Sequence, residues 1–203
     1  MRSAIYLGTT LLILAFATSG CGDDERQRSS SRTPESTASD GDCDLATDPE
    51  CPQDCWYESQ WPEEMLAEAE EAVRLMNALR AAGTTCGGEN APVAGPLTID
   101  PYLARASRCH SVDMAEHETL THTGSDGSSF SQRATAAGYT AAPRAENAGM
   151  GYGDAVAMVD GWHTSPGHCR NMMNGGYNEV GVGIAYTENN RPYWTAKFGF
   201  RSQ

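Results

Sequence analysis

The sequence predicts an α+β fold in which helices bracket a small antiparallel sheet, preceded by a disordered acidic linker. Three observations carry this expectation. Apolar residues recur at three- and four-residue steps in the stretches that follow Trp61 and Asp100, the spacing of one helix face. Near the C-terminus Val180, Val182, Ile184 and Tyr186 alternate with small residues, and Trp194, Ala196, Phe198 and Phe200 repeat the alternation after an Asn-Asn-Arg-Pro turn, as two strands of a hairpin would. From Gly22 to about Gly41 the chain is Ser, Thr, Asp and Arg with almost nothing apolar, too little to bury for ordering itself. Helices packed over such strands give a layered α+β architecture.

The charge is unevenly placed. The 203 residues carry 14 Lys and Arg against 27 Asp and Glu, a net of −13, yet from Met76 onward 9 basic residues face 11 acidic ones. The acidity therefore lies in the first part of the chain, as a self-repelling spacer. No basic face is written anywhere, which excludes a nucleic-acid footprint.

Residues 1–20 read as a targeting segment: Arg2 precedes an apolar run, Ile5 to Phe16, too short for a comfortable membrane span. The run ends in Thr18-Ser19-Gly20-Cys21, which is similar to the lipobox of bacterial lipoproteins. That resemblance implies an acylated Cys21 and a membrane contact through an N-terminal lipid anchor. Ordinary signal cleavage and free secretion is the alternative. With Cys21 set aside, Cys43, Cys51, Cys55, Cys86, Cys109 and Cys169 remain, an even set suited to an oxidising compartment. The expected organisation is a signal segment over 1–20, an acidic linker over 22–60 with a cysteine-bearing stretch at 40–55, and one domain over 61–203. A structural zinc site at Cys51 and Cys55 lacks a second ligand pair at finger distance.

The first helix opens at Trp61-Pro62, where Glu63 and Glu64 suit the positive end of the helix dipole. Leu66, Ala69, Val73, Met76 and Leu79 form its apolar face, and Gly83 stops it. A loop is expected from Cys86 to about Thr98. Asp100-Pro101 caps a second helix carrying Leu103, Ala106, His110 and Met114 on one face. His110 and His117 are read as core or surface histidines, because no glutamate stands between them as a metalloprotease helix would need. A short helix over 129–137, a strand from Ala145 to Tyr152 and a helix from Asp154 to His163 follow. Pro166 cannot continue that last helix, so His168 is expected directly after a Pro-Gly turn, with the two final strands beyond it.

In order along the chain, a helix, HTGSDG, R-x4-GY, Glu146-Asn147, a helix, GWHTSPGH, N-E-VGVG and YWTAKFG together resemble the CAP superfamily, also called the SCP domain, of cysteine-rich secretory, antigen 5 and pathogenesis-related proteins. The resemblance covers about residues 64–200. It implies a three-layer α-β-α sandwich with a cleft that holds two histidines and acidic partners. His122 matches the histidine of the first motif, Glu146 the glutamate of the second, and His168 the second histidine. Many eukaryotic members carry a further glutamate where this chain has Ser165, and bacterial members resemble this chain there.

The expected cleft is therefore His122, Glu146, Ser165 and His168. Two neutral imidazoles, His122 and His168, can hold a divalent metal, zinc most naturally, with Glu146 as ligand, outer partner or base. Without a metal the same trio is an acid/base set. A serine-hydrolase reading of Ser165, His168 and Glu146 lacks the G-x-S-x-G elbow. Cys86 and Cys169 are the preferred disulfide, worth about 4 kcal/mol if unstrained; Cys109 then needs one of the linker cysteines. The expected function is an envelope-anchored or extracellular module that binds a lipid, a polysaccharide or a protein. The alternatives are a metal-assisted hydrolase or peptidase using His122, Glu146 and His168, and a purely structural surface protein.

Overall fold

The computed structural model describes residues 61–202. The targeting segment, Cys21 and the linker with its stretch at 40–55 lie outside them. The chain divides into two units, Met1–Asp42 and Cys43–Gln203, and every described residue belongs to the second.

Helix α1 (Glu63–Ala82) carries Glu63 and Glu64 in its first turn and Arg80 in its last, each at the end of the dipole that favours its charge. Gly83 ends it at φ 70, its N–H bonded to Leu79 O, a conformation that favours glycine. The stretch expected to be a loop instead holds a hairpin of β1 (Thr84–Cys86) and β2 (Glu89–Ala91), then a short β3 (Thr98–Ile99). Strands of two or three residues show no alternation to read. Helix α2 (Pro101–Glu116) begins with the Asp100 carboxylate accepting from the N–H groups of Tyr102 and Leu103. Helix α3 (Phe130–Ala136) opens on a capping box between Ser129 and Gln132.

Strand β4 (Ala142–Met150) starts before the expected Ala145, because Ala142 still pairs with Phe200. Helix α4 (Ala155–Thr164) is capped by Asp154. A second correction follows at Pro166. The residues read as a Pro-Gly turn are the first turn of another helix, α5 (Pro166–Met173). Proline breaks a helix interior but suits its first position, where no N–H is needed. His168 thus stands in the first turn of a helix rather than after a turn. Strands β5 (Glu179–Tyr186) and β6 (Pro192–Phe200) close the chain.

The main sheet has the order β3-β5-β6-β4. Its three long strands are antiparallel, as expected, and β3 adds a two-residue parallel edge. One face meets α1, α4 and α5 through Val180, Val182, Ile184, Trp194, Ala196, Phe198 and Trp162, which form the principal core. The other face meets α2, brought close by Gly181 and Gly183: the Ser107 hydroxyl donates to Gly181 O at 2.9 Å and the Ser111 hydroxyl to Gly183 O at 3.0 Å. The result is an α-β-α sandwich. The expected Cys86–Cys169 disulfide is present, with Cα atoms 5.4 Å apart, and it ties the small hairpin to α5. Cys109 is also disulfide-bonded, and the linker cysteines expected to receive it lie outside the described residues. Among the described residues no helix is long and apolar enough to cross a membrane.

Candidate functional site

Strand β4 is an edge of the sheet, and its two consecutive residues Glu146 and Asn147 point to opposite faces. Glu146 lies on the α2 side, in register with Lys197 of β6. Both side chains are almost fully enclosed, each 1% exposed, and the Lys197 ammonium donates to Glu146 Oε2. Arg133 of α3 brings a second cation. Its Nη2 donates to Glu146 Oε2 at 3.0 Å and to the His122 carbonyl at 3.0 Å, while Nη1 donates to Ser128 O at 2.6 Å. The segment that carries His122 is thereby wrapped around one guanidinium.

His122 closes the set from above. Its Nδ1 is 2.8 Å from Glu146 Oε1. An ionised carboxylate only accepts, so Nδ1 carries the hydrogen and Nε2 is the bare nitrogen of the neutral ring. The ring itself is 58% exposed, so that nitrogen is reachable from solvent.

His168 arrives from the other layer. Asn147 Nδ2 donates to its carbonyl at 3.1 Å, Asn171 Nδ2 donates to Asn147 Oδ1 at 2.8 Å, and Cys169 beside it is held by the disulfide. Burial lowers the pKa of His168, and the charge of His122 lowers it further. Of the expected trio, His122 and Glu146 are in contact on one face of β4, and His168 is joined through its backbone carbonyl to Asn147 on the other. Ser165 does not join it in chemistry. It is the N-cap of α5, its side chain makes no capping bond, and among the described residues it has no hydrogen bond to Glu146 or to either histidine.

The sequence gives Arg133 and Lys197 no role beyond their motifs, R-x4-GY and YWTAKFG, and gives His110 none beyond that of a core or surface histidine. For Lys197 a signal existed, since a charged residue in the middle of YWTAKFGF must find a buried partner or stay outside. His110, read as core or surface, is fully buried, its Nε2 2.9 Å from Thr121 O and 3.7 Å from Glu146 Oε1.

The electrostatics follow from this packing. Burial works to raise the Glu146 pKa, but the hydrogen bond from His122 and the charges of Lys197 and His110 win and pull it to about 2. Burial lowers Lys197 to about 8 against the pull of Glu146. At neutral pH the two form a buried ion pair.

Zinc does not fit this arrangement as a ligated centre. Both Glu146 oxygens are engaged by His122, Arg133 and Lys197, and two full positive charges beside it repel a divalent cation. The two histidines supply two nitrogens, where protein zinc sites use about three or four ligands. Among the described residues no group of three or more His, Cys, Asp or Glu is placed to hold an ion.

A pH dependence of stability results. The Glu146 pKa of about 2 lies below its ordinary 4.5, so its contribution is complete above pH 4.5 and is lost as pH falls through about 2. A depression of that size is worth on the order of 3 kcal/mol. Chemical denaturation of the wild type is expected to show this loss between pH 4.5 and 2, and Glu146→Gln to flatten that limb; an unchanged slope in the variant would contradict the assignment.

A family described as the cysteine-rich secretory protein family, CAP, matches residues 73–198. The uncharacterized membrane protein YlbC of Bacillus subtilis (strain 168) is 32% identical over 102 residues, 50% of this chain and 28% of that protein. The chain thus spans well under half the length of the curated relatives it matches. Among solved structures, an extracellular protein containing an SCP domain from Bacillus anthracis str. Ames superposes with a TM-score of 0.57 at 21% identity, covering 70% of this chain and 44% of that one. An outer surface protein from Borrelia burgdorferi superposes with a TM-score of 0.51 at 21% identity, covering 69% of this chain and 94% of that one. At these identities the structural likeness is one of fold.

Proposed function

Because the chain belongs to the cysteine-rich secretory protein (CAP) family, we propose that it is a ligand-binding module of the cell envelope or the extracellular space, with the cleft over β4 as its binding site. The observation that supports this reading is the commitment of Glu146. Its oxygens hold Lys197, Arg133 and His122 in place and are not free to ligate an ion or to activate water. What the cleft offers a ligand is the bare Nε2 of His122 and the ring of His168.

The ligand classes in view are a lipid, a polysaccharide and a protein, and a lipid anchor on Cys21 holds the module at the membrane. Relatives described as a membrane protein, an extracellular protein and an outer surface protein support that location. The test presents the mature protein to phospholipid vesicles, to soluble cell-wall polysaccharide and to envelope proteins. Retention of one of these is expected, weakened at least tenfold in a folded His122→Ala/His168→Ala variant. Equal retention by the variant, or none by the wild type, removes the reading.

One observation favours a second reading, a hydrolase. A histidine whose Nδ1–H is held by a buried carboxylate presents Nε2 as an oriented base. Hydrolysis of a broad peptide library by the wild type but not by His122→Ala or His168→Ala would support it, and equal background from all three would end it.

A further inference from the structure

Arg133, Gly138 and Tyr139 make up the R-x4-GY motif, and all three bear on the short helix α3. At its start stands the capping box of Ser129 and Gln132. At its end Gly138 turns the chain at φ 100, with the Tyr102 ring 2.8 Å from where a Cβ would stand. Tyr139 then packs with Leu103 and Ala134 and donates its hydroxyl to Glu179 Oε2 at 2.6 Å. A helix of 7 residues has little stability of its own. Fixed at both ends, it becomes a rigid mount for Arg133.

From that mount Arg133 reaches back to the loop that carries His122. Its Nη1 donates to Ser128 O at 2.6 Å and its Nη2 to His122 O at 3.0 Å, the two ends of the loop 122–128. The same Nη2 donates to Glu146 Oε2 at 3.0 Å. Within the loop the Gly124 N–H bonds Ser128 O and the Gly127 N–H bonds Gly124 O, each at 2.8 Å, so the loop closes on itself. Gly124 lies against the guanidinium, since a Cβ there would meet Nη1 at 3.4 Å. One planar fork therefore joins both ends of the loop to the carboxylate that receives the His122 Nδ1–H.

We infer that Arg133 is the positioning residue of the cleft: by clamping both ends of loop 122–128 to Glu146 it holds the His122 ring with Nδ1–H toward the carboxylate and the bare Nε2 toward the ligand. It acts through His122, and it acts by shape as well as charge. An ammonium in its place neutralises Glu146 but cannot span two carbonyls and a carboxylate in one plane. Lys197 already supplies such an ammonium to Glu146 Oε2, and among the described residues it has no hydrogen bond to the loop. The ties of this segment to α2, through Thr121 O and the Ser125 N–H, lie on either side of His122 and do not reach its carbonyl.

The inference deepens the ligand-binding reading and rests on it for its purpose, but its test needs no ligand, so the two fail separately. Nitrogen NMR of the full chain at one pH, about 8, reads the His122 tautomer, and amide hydrogen exchange reads the loop. The wild type is expected to show the Nδ1–H form with a bare Nε2. Arg133→Lys, which keeps the charge beside Glu146, is expected to give a mixture of the two tautomers. It is also expected to raise the opening constants of Gly124 and Gly127 about tenfold or more, the loss of a charge-assisted hydrogen bond, while amides of β5 and β6 keep their protection. Arg74→Lys, at an exposed ion pair of α1, is expected to change neither. Wild-type signatures retained in Arg133→Lys would reduce Arg133 to a counter-charge and overturn the inference. A loss of protection that spreads to β5 and β6 would make it a general structural residue and overturn it too. So would a wild-type ring with its hydrogen on Nε2, whatever the variant does.

Discussion

Replacing Arg80 with methionine is expected to lower stability by about 5 kcal/mol or more, enough to leave little folded protein. The guanidinium is buried at the end of α1 and donates to four carbonyls: Gly95 O at 2.6 Å, Met172 O at 2.7 Å, Asn174 O at 2.9 Å and Tyr177 O at 2.9 Å. Among the described residues it has no carboxylate partner. Two of those carbonyls lie at the end of α5, whose negative dipole end suits a cation. Methionine fills much of the volume and strands all four acceptors, each at about 1–3 kcal/mol. Total stabilities of domains this size are about 5–15 kcal/mol. Arg80→Lys is expected to fall between, because an ammonium cannot reproduce the planar fork. Urea denaturation followed by circular dichroism measures both; a loss below about 1 kcal/mol for Arg80→Met would show that the four carbonyls find other partners. The functional consequence is at α5, since the helix that carries His168 is anchored at its far end by this residue.

Gly181→Ala is expected to cost at least about 3 kcal/mol, because one methyl group has no place to go. A Cβ at Gly181 would land on the backbone of Leu103 and Ala104, and one at Gly183 on that of Ser107 and Arg108. These obstacles are helix backbone, not the yielding tip of a side chain, so α2 itself must move. The spacing shows how closely the two elements are matched. Ser107 and Ser111 are one helical turn apart and reach carbonyls two strand residues apart, a rise of about 6 Å on the helix against about 6.8 Å on the strand. Displacing α2 would also move His110 and, through Thr121, the approach of His122. Gly175→Ala is the control. Its Cβ would meet nothing nearer than Ala94 at 3.9 Å, and a change within about 0.5 kcal/mol is expected. Thermal unfolding of the pair decides it: a Gly181→Ala protein as stable as the control would mean that α2 does not lie against β5 as described.

Much of this was legible before any coordinates. The helix starts at Asp100, Ser129 and Asp154 were written in capping residues, and β5 and β6 in their alternation, because caps and side-chain period are local properties of a chain. His122, Glu146 and His168 stand out in the sequence only through several motifs taken together, since no single one of them specifies a site. Pro166 was misread because the same residue ends one helix and begins the next, and only the following turn distinguishes the two.

By itself the sequence determined the order of α1 to α4 and of β4 to β6, the apolar faces of α1, α2, β5 and β6, and the acidic character of the leader, and it singled out His122, Glu146 and His168. Only the tertiary structure decided what Glu146 is for. Its neighbours Lys197, Arg133 and His110 come from β6, α3 and α2, far apart along the chain and brought together by packing on one side of an edge strand. The protonation of a buried carboxylate depends on the charges and donors within a few ångströms of it, and those distances exist only once the layers have closed.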